Sequence, residues 1–157
     1  MERPTIDSIL TEIGPLVEAG EVICLEGDGP DIWTIAFEDE STCQIEPIGE
    51  YGRHMLSSAV APVPVEGKLE LFETLLAYND QVEQTGAVHM AIDAPDGDVI
   101  MSVMLDEEDI EAQALSAAIV SFRALRAHWV EVVKTWPAAA GDPDTLPPPI
   151  GGPGIRV

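Results

Sequence analysis

Residues 106–136, DEEDIEAQALSAAIVSFRALRAHWVEVVKTW, decide the fold, because they form the clearest periodic element of the chain. Acidic side chains at the start of this stretch complement the positive end of a helix dipole, and Pro137 cannot continue the helix. About 28 helical residues would extend roughly 40 Å at 1.5 Å per residue. The pattern predicts a long C-terminal helix with one apolar face. The apolar side chains that recur every three or four positions are Leu115, Ala118, Phe122, Leu125, Trp129, Val132 and Trp136.

A β-hairpin and a second helix precede this element. Residues 87–92 and 99–105 are apolar stretches of strand length, and residues 94–98, APDGD, have the composition of a turn between them. Helical periodicity extends from residue 66 to about residue 84, and Gly86 ends it. The apolar face predicted for this helix consists of Leu69, Phe72, Leu75 and Leu76, with Val82 as a further candidate.

The N-terminal part of the chain predicts a short helix followed by three strands. Apolar residues recur at spacings of three and four over residues 5–18, and Gly14-Pro15 ends or bends that helix. Residues 51–65 predict extended, edge-like or loop backbone, because their prolines cannot donate a ladder hydrogen bond. Turn-forming residues separate three strand-like stretches, which predicts an antiparallel meander over residues 21–26, 31–37 and 42–48.

Together these elements predict a single α+β domain over residues 1–136, with the order α-β-β-β-α-β-β-α. Residues 137–157 are rich in proline and glycine, including a triple proline at 147–149. Such a segment cannot bury enough apolar surface to offset the entropy lost on ordering, so it is predicted to be a disordered tail.

The charge balance restricts the partners that this chain can bind. Seven basic residues against 29 acidic ones give a formal net charge of −22. That charge repels nucleic acid and anionic lipid, so we expect neither as a partner. No stretch has the composition of a signal peptide or the roughly 20 apolar residues of a membrane span, which predicts a cytoplasmic protein.

Residues that could support catalysis or bind a metal do not form a recognisable motif. The two cysteines, Cys24 and Cys43, lack CxxC spacing. We expect two small buried thiols, and the alternatives are a pair across adjacent strands or a nucleophile. The three histidines are not at metal-ligand spacing, and the aspartates around Gly97 match a hairpin turn better than a calcium loop. We therefore expect a binding protein without a cofactor, not an enzyme.

The central helix and the elements that follow it resemble a known family. Leu75-Leu76-Ala77-Tyr78-Asn79 is similar to the leucine-leucine and asparagine pattern at the central helix of class I type III secretion chaperones, the family that includes the Tir chaperone. The hairpin turn at Asp96-Gly97 and a final helix opened by Asp109-Ile110, with aromatic residues along it, also resemble that family. The resemblance covers roughly residues 5–136.

The resemblance implies a homodimer that binds the N-terminal segment of a secreted effector and keeps it soluble, non-globular and ready for export. The first helix and first strands carry more aliphatic residues than one small sheet face requires, so we expect effector contacts there. The candidate effector-binding residues are Ile9, Ile13, Val22, Ile32 and Ile35. By analogy with the family, the candidate dimer-interface residues are Leu75, Tyr78, Val88 and Met90.

Two other classes of binding protein fit the same observations. A YbjN-like regulatory domain would share the α–β–α layout without a role in secretion. An acidic immunity protein would neutralise a toxin through a tight complex with a folded basic domain. An extended partner segment distinguishes the chaperone from the immunity protein, and a neighbouring set of secretion genes distinguishes it from the regulatory domain.

Overall fold

The computed structural model describes residues 5–49, 52–81, 83 and 87–138. Most of the predicted tail, from residue 139 onward, the predicted helix stop at Gly86 and the candidate apolar residue Val82 lie outside the described residues. The helices are α1 (Ile6–Ile13), α2 (Lys68–Asn79) and α3 (Ala112–Lys134), with short 3₁₀ turns at Gly14–Val17 and Glu107–Asp109. The strands are β1 (Ala19–Leu25), β2 (Ile32–Phe37), β3 (Thr42–Ile48), β4 (Arg53–Pro62), β5 (His89–Ile92) and β6 (Asp98–Leu105).

Helix α1 begins and ends where the sequence predicts. The Thr5 hydroxyl caps it by accepting a hydrogen bond from the main-chain N–H of Ser8 at 3.4 Å. At its other end Gly14 and Pro15 convert the helix into a 3₁₀ turn. Glu18 then adopts a left-handed conformation, with φ of 59°, and directs the chain into β1.

The strands form one antiparallel sheet in the order β1-β2-β3-β4-β6-β5. The predicted meander is confirmed, but it has a fourth strand, because β4 forms within the segment predicted to be an edge or a loop. β4 lies between β3 and β6, in the middle of the sheet. Pro62 is tolerated there because it is the last residue of the strand, beyond a β-bulge between Ala59 and Ala61.

The small and polar residues of β4 made this strand difficult to predict from the hydrophobic pattern of the sequence. Its alternation is nevertheless present, because Leu56, Ser58 and Val60 are buried in turn on one face. Ser58 is polar and only 5% exposed. Its hydroxyl donates a 2.6 Å hydrogen bond to the main-chain oxygen of Thr42, which offsets the cost of burying it.

The core lies between the sheet and helix α3, which packs across β4. All of the apolar side chains predicted to line the long helix are buried, and Phe122 and Trp129 are fully enclosed. The helix begins at Ala112, later than the acidic run suggests. That run forms a 3₁₀ turn instead, in which the Asp106 and Asp109 side chains each accept a hydrogen bond from the main chain of the other residue.

The inward face of α2 differs from the predicted one. Leu71, Leu75 and Tyr78 are buried, whereas Leu69 and Leu76 are 74% and 69% exposed. Apolar residues are so dense in α2 that either of two faces could be buried. Packing against β5 buries the face that carries Leu71, Leu75 and Tyr78. The indole N–H of Trp136, beyond the end of α3, donates a 2.7 Å hydrogen bond to the Gly67 carbonyl and ties the start of α2 to the core.

Candidate functional site

The two faces of the sheet are covered differently. Residues paired across the strands share a face, so Trp33, Ile45 and Leu56 form part of the face beneath the helices. On the opposite face, side chains of β1, β2 and β6 have no helix of the described chain packed over them. Ile23 is 40% exposed, Leu25 54% and Met104 36%, and Ile32 is half-buried beside Leu25. We call this surface the outer face.

The two edges of the sheet also differ, because α2 closes one of them. The Asn79 side-chain amide donates a 2.8 Å hydrogen bond to the Met90 carbonyl, and its oxygen accepts one of 2.7 Å from the Met90 N–H. In an antiparallel pair, both main-chain groups of one residue point either to the partner strand or away from it. Asn79 therefore occupies the groups that point away from β6, where another strand would have to bind.

The edge at β1 has no such cap in the described part of the chain. β1 is seven residues long, pairs with β2 on one side and has no described strand on the other. Its side chains alternate between the helix-covered face, where Val22 and Cys24 lie, and the outer face, where Ile23 and Leu25 lie. An unpaired edge with apolar side chains on both faces is a template for an added strand.

The structure brings only part of the predicted effector-binding set to this edge. Val22 and Ile32 are half-buried at the edge and on the outer face, respectively. Ile9, Ile13 and Ile35 are only 2%, 0% and 1% exposed, because α1 presses them into the core. Sequence reasoning missed Ile23 and Leu25, because only the strand order shows that β1 is an edge with an uncovered face.

The predicted dimer residues all lie inside the protomer. Leu75, Tyr78, Val88 and Met90 are 8% exposed or less, since they fill the space between α2, β5 and the core. The exposed leucines of α2 lie on its other side, and we call Leu69, Phe72 and Leu76 the α2 stripe. A role of α2 in self-association remains a prediction. The α2 stripe is the part of this helix that a partner could contact.

The cysteines are not arranged for a disulfide or for nucleophilic chemistry. Both thiols are free, and β2 separates Cys24 on β1 from Cys43 on β3. Burial raises the pKa of Cys43 to about 11, so its thiol stays protonated and poorly nucleophilic at neutral pH. The pairing alternative is therefore excluded, and of the two expected buried thiols Cys43 is buried while Cys24 is half-buried.

The acidic residues of the hairpin serve the turn. The Asp93 carboxylate accepts a 2.6 Å hydrogen bond from the Asp98 N–H, and Asp96 pairs with Lys68 at 2.7 Å. Among the described residues, no cluster of histidine, cysteine and carboxylate side chains could hold a metal ion. No helix in the same part of the chain combines the length and the apolar character needed to span a membrane.

Comparison with known proteins identifies the family. The family model of the Tir chaperone protein (CesT) family matches residues 32–130, which is more than half of the chain. The chain belongs to the CesT family. The resemblance seen in the leucine-leucine and asparagine pattern is thus confirmed, and Asn79 of that pattern is the residue that caps β5.

Two solved structures share the CesT fold with this chain. A chain of the ExsC–ExsE complex is 16% identical, with a TM-score of 0.66, and the match covers 82% of this chain and 92% of that one. A chain of the HopA1–SchA chaperone–effector complex is 11% identical, with a TM-score of 0.58 and coverage of 80% and 92%. At these identities the likeness concerns the fold, and it confirms the predicted α+β class. No match was found among curated proteins.

Proposed function

We propose that this chain is a type III secretion chaperone that binds the N-terminal segment of a cognate effector and keeps it soluble, non-globular and competent for export. The observation that carries the proposal is the open β1 edge with exposed apolar residues on the adjoining outer face, in a member of a chaperone family. The two similar structures support it, since one is a chaperone–effector complex and the other, ExsC–ExsE, is also a complex.

The β1 edge can bind an extended segment without recognising a long sequence. Main-chain hydrogen bonds between the segment and β1 would supply affinity for any extended chain. Side chains of the segment would alternate between Ile23 and Leu25 on the outer face and Val22 on the helix-covered face. Such binding keeps the segment extended, which is the state that export requires.

The net charge suits the same role. A formal charge of −22 opposes non-specific association, so it offsets the tendency of the exposed aliphatic residues to cause aggregation. Ordering an extended segment costs entropy, and a large contact area must offset that cost. The outer face and the edge together provide such an area, whereas a small closed pocket would not.

Self-association through α2 is the second part of the proposal. The α2 stripe exposes Leu69 and Leu76 on a helix whose other face is already buried. A second copy could cover this stripe by an isologous contact and place two β1 edges in one assembly. Sedimentation of the Leu69→Glu/Leu76→Glu variant tests it: a monomer is expected, and an unchanged dimer, or a monomeric wild-type protein, would refute this interface.

The function is tested by purifying tagged protein from its native cells, identifying co-purified proteins by mass spectrometry and mapping the bound segment by limited proteolysis. One secreted protein, protected near its N-terminus, is the expected result. A folded basic toxin domain would support the immunity protein instead, and family membership favours the chaperone over the YbjN-like domain. We expect the complex to form in the cytoplasm, before export.

The β1 edge is tested by the Ile23→Glu/Leu25→Glu variant. Both side chains are already exposed, so the free energy of unfolding should change by less than about 1 kcal/mol. Binding of the co-purified partner should fall sharply, because two carboxylates would have to be desolvated. Val65→Glu is the control, since Val65 is 96% exposed and lies away from β1. Full retention of binding by the double variant would show that the partner uses another surface.

A further inference from the structure

A groove beside α3 contains two of the few cations of this acidic chain. It has a volume of about 440 Å³ and lies between the 3₁₀ turn after α1, the β2–β3 turn and α3. Arg123 and Arg126, one turn apart on α3, both line it. We call it the arginine groove, and its walls include Leu16, Glu18, Asp39, Val120, Ala124 and Ala127.

Arg123 is already neutralised and held in place. Its guanidinium lies 3.7 Å from the centre of the Phe37 ring, donates to the Val17 carbonyl and pairs with Asp39 at 3.3 Å. Hydrogen bonds from Ser41 to the Asp39 carboxylate, together with the charge of Arg123, lower the pKa of Asp39, so the pair stays ionised at neutral pH.

Arg126 is held but not neutralised. Its Nε donates a 2.8 Å hydrogen bond to the Ala59 carbonyl, and the side chain is half-buried. Of the five N–H donors of a guanidinium, the remaining ones have no acceptor among the residues that the structure describes. Asp39 is already paired with Arg123, and the other acidic residue of the groove, Glu18, is exposed to solvent. Arg126 thus presents to the groove an oriented guanidinium that no carboxylate of the described residues pairs with.

Apolar surface surrounds this guanidinium. Leu16 is 67% exposed and Val120 52% exposed, and the alanines at 124 and 127 leave open space between them. Guanidinium binds carboxylate through paired charge-assisted hydrogen bonds, and a fixed side chain loses little entropy on binding. The combination fits a carboxylate with an aliphatic side chain close to it.

We infer that the arginine groove is a specificity subsite that binds an aspartate or glutamate of the partner segment, flanked by aliphatic residues, with Arg126 as the carboxylate ligand. The inference rests on the proposed function, since it assigns the chemistry of the bound segment. It adds a requirement that strand addition at β1 lacks, because main-chain hydrogen bonds do not distinguish acidic from neutral segments.

The test uses a phage-displayed library of random peptides, so that it does not depend on knowing the effector. The library is selected on the wild-type protein and on three variants. Arg126→Gln removes the cation, and Ala124→Glu supplies an internal carboxylate at an exposed position without altering either arginine. Arg53→Gln is the control, because it makes the same change in charge at an exposed residue of β4, outside the groove.

The wild-type protein and Arg53→Gln should select peptides with a carboxylate next to aliphatic residues. Such peptides, made synthetically and followed by fluorescence anisotropy, should bind Arg126→Gln and Ala124→Glu at least about tenfold more weakly, since a charge-assisted contact is lost. Changing the peptide carboxylate to its amide should weaken binding to the wild type and have little effect on Arg126→Gln.

Three outcomes overturn the subsite, and they differ in what they imply for the function. Selected peptides without an acidic preference, or equal binding to wild type and Arg126→Gln, would refute the subsite and leave the chaperone proposal intact. Selection of no peptide by the wild-type protein would refute the subsite too, and co-purification from native cells would then decide the proposed function independently.

Discussion

Replacing Asn79 with alanine should remove the cap on β5 and lower the free energy of unfolding by about 2.5 kcal/mol or more. Two hydrogen bonds to Met90 are lost, at 2.7 and 2.8 Å, and each is worth about 1 kcal/mol. Met90 is only 4% exposed, so leaving its main-chain groups without partners adds roughly 1 kcal/mol or more. The better helix propensity of alanine at the last residue of α2 returns about 0.5 kcal/mol.

Urea unfolding followed by circular dichroism measures this loss, at one protein concentration because self-association would shift the apparent stability. Gln113→Ala is the matched control, since it removes an exposed amide from α3 and should change the stability by less than about 0.5 kcal/mol. Asn79→Asp should be intermediate, because its carboxylate still accepts from the Met90 N–H but repels the Met90 carbonyl.

The same variant should also expose a second sheet edge. Size-exclusion chromatography should then show larger species that increase with the concentration of Asn79→Ala and are absent for Gln113→Ala. If Asn79→Ala unfolds within about 0.5 kcal/mol of the wild type and elutes identically, Asn79 does not protect β5, and the argument that β1 is the available edge fails with it.

Three further predictions follow from individual contacts. Gly67→Ala should destabilise the protein by about 1–3 kcal/mol in urea unfolding, because φ is +67° there and an added Cβ would lie 2.9 Å from the Trp136 ring; an unchanged midpoint would contradict this. The Cys43 thiol should react with a maleimide at pH 7 only after urea unfolding, since its pKa is raised to about 11, and modification of the folded Cys24→Ser variant would show that the thiol is accessible. Burial lowers the pKa of His54, so the unfolded state binds a proton at this residue more readily than the folded state. Stability from this group is therefore fully present above about pH 6.5 and is lost as pH falls through the lower folded pKa. Unfolding midpoints measured across that range should show this dependence in the wild-type protein and not in His54→Gln.

The long helix could be predicted because its periodicity admits one solution. Between Leu115 and Trp136 the apolar residues follow a single stripe, and every member of it is buried. In α2 the leucines at 69, 71, 75 and 76 allow two stripes, and the sequence does not contain the choice between them. Only the position of β5 decides it, which is a property of the assembled fold.

The strand β4 was missed for a different physical reason. Sequence patterns report side-chain hydrophobicity, whereas the strand is held by pairing with β3 and β6 on both sides. Central position allows small residues such as Ser57, Ser58 and Ala59 to remain in the ladder, because the neighbouring strands supply the main-chain hydrogen bonds. A proline near the end of such a strand is compatible with it, although proline suggested an edge.

The candidate site depended most on strand order, which periodicity does not encode. Ile9, Ile13 and Ile35 were reasonable effector contacts from composition, but the same aliphatic character fits the core that they occupy. Ile23 and Leu25 become candidates only once β1 is known to be an edge with an uncovered face. The sequence alone therefore does not distinguish aliphatic residues that lie at a binding surface from aliphatic residues that lie in the core.

The difference between the two sheet edges links fold to function. A sheet with two open edges would pair with other copies of itself, and one with both edges capped could not add a partner strand. Here a single amide on α2 closes the short edge strand β5, while no strand among the described residues pairs with the outer side of the longer β1, which lies beside exposed aliphatic residues. Because Asn79 belongs to the pattern that resembles the family, the residue that caps β5 can be recognised in the sequence once its hydrogen bonds are known.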